Sequence, residues 1–179
     1  MAFLGAGAIG RKVIELLKPF HLNIIVFDPF LSDTAAQDLG VQKASLEDAF
    51  QQGDVVFNHL ANNPQTRGML HGAHFALLQD HATFINTGRG ATVVEPDLIA
   101  EMQKRPTLTA LLDVTYPEPP DPDSAFYTLP NIYLTSHIAG SMNDEVNRMA
   151  DYMTDEFLRW QAGEPLHYEV SLEIMDTMA

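Results

Sequence analysis

A glycine-rich loop at the start of the chain constrains its fold more than any other feature. The segment Gly5-Ala6-Gly7-Ala8-Ile9-Gly10 is a complete G-x-G-x-x-G pattern. An apolar run, Met1–Leu4, precedes it, and apolar residues at helical spacing follow it over Arg11–Leu17. A strand, a glycine loop and a helix in this order are typical of a unit that binds a dinucleotide.

Each glycine of this loop has a separate expected role. Gly5 permits the tight turn after the strand, Gly7 lets the backbone approach a pyrophosphate, and Gly10 lets the helix pack against the sheet. Ala8 and Ile9 then form the first turn of the helix, whose free N–H groups and partial positive charge favour an anion. We therefore expect the loop from Gly5 to Gly10 to bind the phosphates of a nucleotide.

An acidic residue follows the next β-branched run. Asn23–Phe27 is predicted to be a strand, and Asp28 comes directly after it. A carboxylate about 20 residues past the glycines is placed to bind a ribose 2′-hydroxyl and would repel a 2′-phosphate. The pattern favours NAD over NADP, although a surface turn with a solvated aspartate before Pro29 remains the alternative.

Composition narrows the class of protein. The 179 residues suit one domain, and the 46% of hydrophobic residues argue against disorder. A net charge of −14, from 24 acidic and 10 basic residues, disfavours nucleic acid and anionic membranes as partners. The chain has no cysteine, which excludes disulfides, thiolate metal sites and a cysteine nucleophile. No apolar run approaches the ~20 residues that span a bilayer, so we expect a cytoplasmic protein.

Short apolar runs alternate with amphipathic stretches along the chain, which predicts an α/β fold with a doubly wound parallel sheet. Predicted strands cover 1–4, 23–27, 41–44, 54–60, 83–86, 109–114 and 132–135. Predicted helices or helical turns cover 11–17, 34–39, 45–51, 66–70, 73–78, 95–104 and 141–160. Because ligands bind beyond the carboxyl ends of such strands, we expect one crevice to collect the polar residues found there. These residues are His59, Thr87–Arg89, Asp113 and His137.

Three longer motifs indicate a family. They are Ile85-Asn86-Thr87-Gly88-Arg89-Gly90, Leu112-Asp113-Val114-Thr115-Tyr116-Pro117-Glu118-Pro119 and Asn131-Ile132-Tyr133-Leu134-Thr135-Ser136-His137-Ile138-Ala139-Gly140. Together with the glycine loop and Asn63-Pro64-Gln65-Thr66-Arg67-Gly68, the chain resembles the NAD-binding domain of the D-isomer-specific 2-hydroxyacid dehydrogenases. The resemblance extends from Phe3 to about Gly163 and implies a Rossmann fold.

The resemblance implies a catalytic arginine, glutamate and histidine at Arg89, Glu118 and His137. A histidine titrates near neutrality and suits proton transfer to a carbonyl oxygen, while a neighbouring carboxylate favours its imidazolium form. An arginine suits bidentate binding of a substrate carboxylate. The resemblance also implies that Asp113 holds the nicotinamide. It further implies that the remaining NAD pocket is lined by His59, Thr87, Gly88, Arg89, His137 and Gly140.

The resemblance also sets expectations for the domains and partners. We assign 1–163 to the NAD-binding domain and 164–179 to a tail that leads back towards a substrate domain, most of which this chain lacks. A helix that precedes the glycine loop in the family and contributes to its dimer interface is also missing, so a homodimer would be weakened. Ser136 replaces a proline that is frequent in the family, which should affect loop stiffness more than chemistry.

The leading interpretation is the cofactor-binding portion of an NAD-dependent oxidoreductase that interconverts 2-oxo acids and D-2-hydroxy acids. The alternatives are an NAD-binding regulatory or interaction module and an inactive fragment. His71, His74 and His81 offer only part of a metal site, because no cysteine or acidic cluster completes it, so we expect no metal.

Overall fold

The glycine-rich loop follows a short strand, as predicted, in the computed structural model of the protein, which describes residues 1–172. Seven parallel strands form one sheet in the order β3-β2-β1-β4-β5-β6-β7. The strands are β1 (Ala2–Leu4), β2 (Ile25–Phe27), β3 (Gln42–Lys43), β4 (Val55–Asn58), β5 (Thr83–Asn86), β6 (Thr109–Leu112) and β7 (Ile132–Leu134). The strand order changes direction between β1 and β4, which is where such sheets bind ligands.

Within residues 1–172, six α-helices connect or follow these strands. They are α1 (Ala8–Leu17), α2 (Asp33–Leu39), α3 (Leu46–Gln52), α4 (Gly72–Phe75), α5 (Glu95–Lys104) and α6 (Asp144–Ala162). Two of them begin at serine caps: Ser32 accepts the N–H of Ala35 at 3.1 Å, and Ser45 accepts that of Asp48 at 3.0 Å. Short 3₁₀ segments cover Lys18–Phe20, Gly90–Thr92 and Ala125–Tyr127.

Both faces of the sheet are buried, as a parallel sheet requires. Along β1, Ala2 and Leu4 pack into one apolar cluster and Phe3 packs into the other. All three side chains are fully buried. Because successive side chains of a strand point to opposite faces, these three residues join the two layers of the core at the centre of the sheet.

The predicted fold class is confirmed, and several predicted boundaries were wrong. The strand predicted over 41–44 is reduced to the two residues of β3. The segment predicted as a helical turn over 66–70 is a hydrogen-bonded turn, and Leu70 pairs with Val93 in an isolated bridge. The helical turn predicted over 73–78 is present as α4, but it covers Gly72–Phe75. Long-range pairing overrides local propensity in these short segments.

The longest helix, α6, contributes no buried residue. Its apolar side chains recur at helical spacing, as predicted, but they are solvent-exposed. These side chains are Val146, Met149, Met153, Phe157 and Trp160. The chain after α6 turns back along it, where the N–H of His167 donates to Glu156 at 3.1 Å. Residues 173–179 of the predicted tail lie outside the described residues. None of the helices within 1–172 is long and apolar enough to cross a membrane.

Candidate functional site

The glycine loop closes against the end of β4. Gly5 has φ +95°, and a Cβ there would lie 2.8 Å from the carbonyl oxygen of His59. A Cβ on Gly10 would lie 2.4 Å from the carbonyl oxygen of Gly5. Both positions therefore require glycine. Gly7 differs, because a Cβ there would meet nothing within 4 Å, so its backbone faces open space at the start of α1.

The amino end of α1 has no side-chain cap and no acidic residue in its first turn. The partial positive charge of the helix end is therefore not neutralised locally by a cap or an acid in that turn. The side chain of Arg11, one turn further along, donates to the carbonyl of Ala6 at 2.7 Å and so adds a cation beside the loop. This arrangement favours an anion such as a phosphate.

Asp28 connects β2 to the glycine loop. Its Oδ2 accepts the N–H of Ala6 at 2.7 Å, and its Oδ1 accepts the N–H of Phe30 at 2.8 Å. A carboxylate oxygen can accept more than one hydrogen bond, so both oxygens keep capacity for a ligand. The sequence indicated a ligand contact for Asp28, but did not indicate that it also holds the loop.

A cleft of about 550 Å³ lies between these segments and the ends of β4 and β5. It is lined by ten of the residues expected to bind the cofactor: Gly5, Gly7, Ala8, Ile9, Gly10, Asp28, His59, Thr87, Gly88 and Arg89. The structure therefore brings the glycine loop, Asp28 and the segment 87–89 together at the carboxyl ends of the strands.

Arg89 is exposed in the loop after β5, and its Nη1 donates to the carbonyl of Gly88 at 2.8 Å. The carbonyl of Arg89 itself accepts the hydroxyl of Thr92 at 2.8 Å. The backbone of Arg89 is therefore held by the protein, while its guanidinium keeps further donors for a ligand.

A buried polar network supports this loop, and it was not among the residues predicted from the sequence. Asn58 donates through Nδ2 to Asn86 Oδ1 and to Thr92 Oγ1, both at 2.9 Å. Asn86 Oδ1 also accepts the N–H of Gly88 at 3.2 Å. A signal was present in the sequence, because Asn58 and Asn86 each end an apolar strand, and buried amides need partners.

His59 is half-buried, and its ring lines the cleft. Its imidazole stacks on Phe57 with ring centroids 4.5 Å apart, and its Nε2 is buried without a hydrogen-bond partner among the described residues. Burial lowers the pKa of His59 to about 4. The ring is therefore neutral near pH 7 and does not act there as a proton donor.

His137 and Glu118 form a hydrogen-bonded pair. His137 Nδ1 lies 2.7 Å from Glu118 Oε1, and the two side chains are 48% and 42% exposed. His137 adopts φ 58°, and its N–H donates to the carbonyl of Asp113 at 3.0 Å. A carboxylate acceptor places the proton of a neutral imidazole on Nδ1, which leaves Nε2 free for a second partner.

Asp113 holds the loop around His137. Its carboxylate accepts the hydroxyl of Thr135, the N–H of Ile138 at 2.8 Å and the N–H of Ala139 at 2.9 Å. Burial acts to raise the pKa of Asp113, but these hydrogen bonds and nearby His137 outweigh it and hold that pKa below its ordinary value. Asp113 is therefore a carboxylate at neutral pH, in contact with the protein backbone.

The single crevice expected from the sequence is divided in the structure. Asp113 and Glu118 line a second cleft of about 680 Å³ together with Tyr127, Thr135 and Ile138. Neither His137 nor Gly140 lines either cleft, although His137 reaches the second one through Glu118. The loop after β7 turns its backbone towards Asp113, to which the N–H groups of Ile138 and Ala139 donate.

His71, which caps α4, and His74 within α4 contact each other. The rings of His71 and His74 lie 4.1 Å apart, and His74 Nδ1 accepts the N–H of His71 at 3.4 Å. Burial, with a contribution from His71, lowers the pKa of His74. Within residues 1–172, no group of three or more His, Asp or Glu residues is arranged to hold a metal ion.

Comparison with proteins of known sequence finds relatives of this chain. A D-3-phosphoglycerate dehydrogenase of Archaeoglobus fulgidus is 27% identical over 169 residues, which cover 94% of this chain and 32% of that protein. A glyoxylate reductase of Aeropyrum pernix is 29% identical over 163 residues, which cover 91% of this chain and 49% of that protein. The chain thus spans half or less of the length of these relatives.

Solved structures show the same fold. An NADPH-dependent glyoxylate/hydroxypyruvate reductase of Sinorhizobium meliloti, in complex with NADP and sulfate, superposes with a TM-score of 0.80 at 28% identity. The match covers 95% of this chain and 54% of that one. A phosphoglycerate oxidoreductase of Rhizobium etli gives a TM-score of 0.83 at 25% identity, covering 96% of this chain and 51% of that one.

Residues 1–139 match the family model of the D-isomer specific 2-hydroxyacid dehydrogenase, NAD binding domain. This match covers the glycine loop, Asp28, Arg89, Glu118 and His137 within one continuous stretch. The chain belongs to the D-isomer specific 2-hydroxyacid dehydrogenases, and it carries the NAD-binding domain of that family.

Proposed function

We propose that this chain binds NAD and takes part in the interconversion of a 2-oxo acid and a D-2-hydroxy acid. The observation that carries the proposal is the 2.7 Å contact between His137 and Glu118. This pair follows strands of the same parallel sheet whose other strand ends carry the glycine loop and Arg89. The relatives named as glyoxylate reductase and D-3-phosphoglycerate dehydrogenase support the same class of substrate.

The proposed site residues divide the chemistry between them. Reduction of a 2-oxo acid needs a hydride at the carbonyl carbon and a proton at the carbonyl oxygen, and a bound reduced nicotinamide supplies the hydride. His137 gives the proton from Nε2 and becomes neutral, and in the reverse direction it accepts that proton. Glu118 accepts the hydrogen bond from Nδ1 of His137 and so orients the ring, and Arg89 binds the substrate carboxylate and polarises the carbonyl.

The cofactor cleft favours NAD in this proposal. Asp28 presents two carboxylate oxygens where the ribose of the adenosine would lie, and its charge opposes a 2′-phosphate. Backbone groups of Thr87, Gly88 and Gly140 would border the nicotinamide, with Asp113 as its polar partner. The solved relative from Sinorhizobium meliloti contains NADP, so the preference of this chain is a property to be measured.

A calorimetric titration of the chain with NAD, NADH and NADP tests the proposal directly. We expect NADH and NAD to bind with a 1:1 stoichiometry and NADP to bind more weakly. The matched variant is Gly7→Ala, which adds a methyl group in the open part of the loop without a clash in the free protein. It should fold as the parent does but bind NAD more weakly. Absence of heat for NAD and NADH in the parent chain would contradict the proposal.

A further inference from the structure

Tyr116 is held by two charged side chains from other segments. Arg67 Nη2 donates to the hydroxyl of Tyr116 at 2.6 Å, and the guanidinium lies over the ring at 5.1 Å from its centroid. Glu95 Oε1 accepts the N–H of the same tyrosine at 2.6 Å. Tyr116 is 55% exposed, so burial does not fix its position. These polar contacts account for the placement of an exposed aromatic side chain.

The contacts of Tyr116 act on the segment that carries Glu118. Thr115 donates its hydroxyl to the carbonyl of Pro117 at 2.8 Å, which links the residues on either side of the tyrosine. On the other side, a Cβ on Gly90 would lie 2.1 Å from the Thr115 backbone, so the Arg89 loop packs directly on this segment. The backbone leading to Glu118 is therefore fixed from outside its own loop.

The contact between Arg67 and Tyr116 joins two segments, each of which contributes a residue to a different cleft. It belongs to the turn that follows Asn63, and its neighbour Thr66 lines the cofactor cleft. Tyr116 lies two residues before Glu118, which lines the second cleft. Arg67 and Tyr116 are 49 residues apart in sequence, so their contact joins segments that no local signal relates.

We propose that Arg67 and Tyr116 are positioning residues, which hold Glu118 where it accepts the hydrogen bond from Nδ1 of His137; this inference rests on the proposed function. Glu118 is 42% exposed, and its separation from His137 depends on the backbone of the loop. Loosening Tyr116 lets the carboxylate move away from the imidazole. The neutral ring then loses the partner that places its proton on Nδ1.

The tautomer of His137 measures this effect without requiring turnover. Two-bond ¹H–¹⁵N spectra of the chain with ¹⁵N-labelled histidine, at alkaline pH, give the populations of the Nδ1–H and Nε2–H forms. His137→Gln assigns the signal among the 7 histidines. We expect Arg67→Met to lower the Nδ1–H to Nε2–H ratio about two- to five-fold, the size of effect that an exposed cation–π contact supplies. Tyr116→Phe should lower this ratio less, because the ring remains. Arg67→Lys should keep the ratio close to that of the parent chain.

The chain offers a matched control on α6. Arg148 donates to the hydroxyl of Tyr152 at 3.0 Å and lies over its ring at 5.8 Å, the same pair of contacts away from the loop of Glu118. Arg148→Met should leave the tautomer ratio of His137 unchanged.

Glu118→Ala distinguishes a failure of the positioning role of Arg67 and Tyr116 from a failure of the His137–Glu118 pair itself. If it lowers the ratio but Arg67→Met and Tyr116→Phe do not, the positioning role is wrong and the acid–base pair stands. If Glu118→Ala has no effect, both the pair and the inference are wrong. A response to Arg148→Met equal to that of Arg67→Met would also overturn the inference.

Discussion

The carboxylate of Asp28 accepts the backbone N–H of Ala6 at 2.7 Å, and this contact joins the end of β2 to the glycine loop. One side chain therefore shapes the loop and faces the cofactor cleft. A substitution at Asp28 consequently has two effects, on loop order and on ligand contacts, and only a comparison of two ligands separates them.

Asp28→Ala should lower the affinity for NAD by about 1–3 kcal/mol, because polar groups are left without partners. Affinity for NADP should fall less, since the charge that opposes its 2′-phosphate is removed. Calorimetric titration of both cofactors into both proteins gives the ratio of affinities. A parent chain that binds NADP as tightly as NAD would show that Asp28 does not select the cofactor.

Substitutions at two glycines of the loop should separate an effect on stability from an effect on cofactor binding. Gly10→Ala places a methyl group 2.4 Å from the carbonyl of Gly5 and should lower the free energy of unfolding by about 1–3 kcal/mol. Gly7→Ala has open space and φ −69°, so its stability should change by less than about 0.5 kcal/mol. Its NAD affinity should fall, because the methyl group occupies the approach to the phosphates. Urea unfolding and calorimetry test both variants, and equal stability losses would contradict the geometry.

His59 should make stability depend on pH. Burial lowers its pKa to about 4, so between the ordinary value of 6.5 and about 4 the unfolded chain binds a proton that the folded chain does not. The contribution is fully present above pH 6.5 and is lost as pH falls towards 4. Because the ring is partly open to solvent, we expect a loss of about 1–3 kcal/mol.

His59→Phe removes the group that binds a proton in the unfolded chain and keeps a ring to stack on Phe57. Unfolding by urea at several pH values should show a smaller loss of stability on acidification than in the parent chain. His21→Asn is the control, since His21 is exposed and its φ of 52° suits asparagine. If the parent and His59→Phe lose the same free energy of unfolding on acidification, burial does not keep the His59 ring unprotonated in the folded chain.

NAD should stabilise the folded chain. At about 100 times its dissociation constant, a ligand that binds only the folded state adds about 2.7 kcal/mol to the free energy of unfolding. Melting followed by circular dichroism should show a rise in Tm with NAD and a smaller rise for Gly7→Ala. An unchanged Tm at saturating NAD would mean that the cleft does not bind it.

His137 and Glu118 should affect turnover differently. In a version of the protein extended by the part of its relatives that this chain does not span, His137→Gln should lower the rate of 2-oxo acid reduction, the proposed reaction, by about 100-fold or more. Glu118→Gln leaves the imidazole in place and changes only the group that contacts its Nδ1, so it should lower the rate less than His137→Gln does. Rates of NADH oxidation for the two variants check this, and rates equal to the parent would remove both residues from the mechanism.

The sequence by itself determined the elements that depend on local signals. The glycines between β1 and α1 have backbone requirements that few other residues meet, and Ser45 caps α3 as its spacing predicted. Apolar runs with β-branched residues marked the buried strands because a parallel sheet covers both of their faces. These features gave the fold class, and the order of the longer motifs gave the family.

Only the tertiary structure decided how the polar residues pair. Asn58 and Asn86 form a hydrogen bond although they are 28 residues apart in sequence, and Arg67 and Tyr116 do so at 49 residues apart. The spacing of residues in the sequence does not predict such pairs. The protonation state of His59 likewise depends on the side chains stacked around it rather than on its neighbours in sequence. The physical reason is that backbone preferences act over a few residues, whereas burial and hydrogen bonding depend on which strands the sheet places side by side.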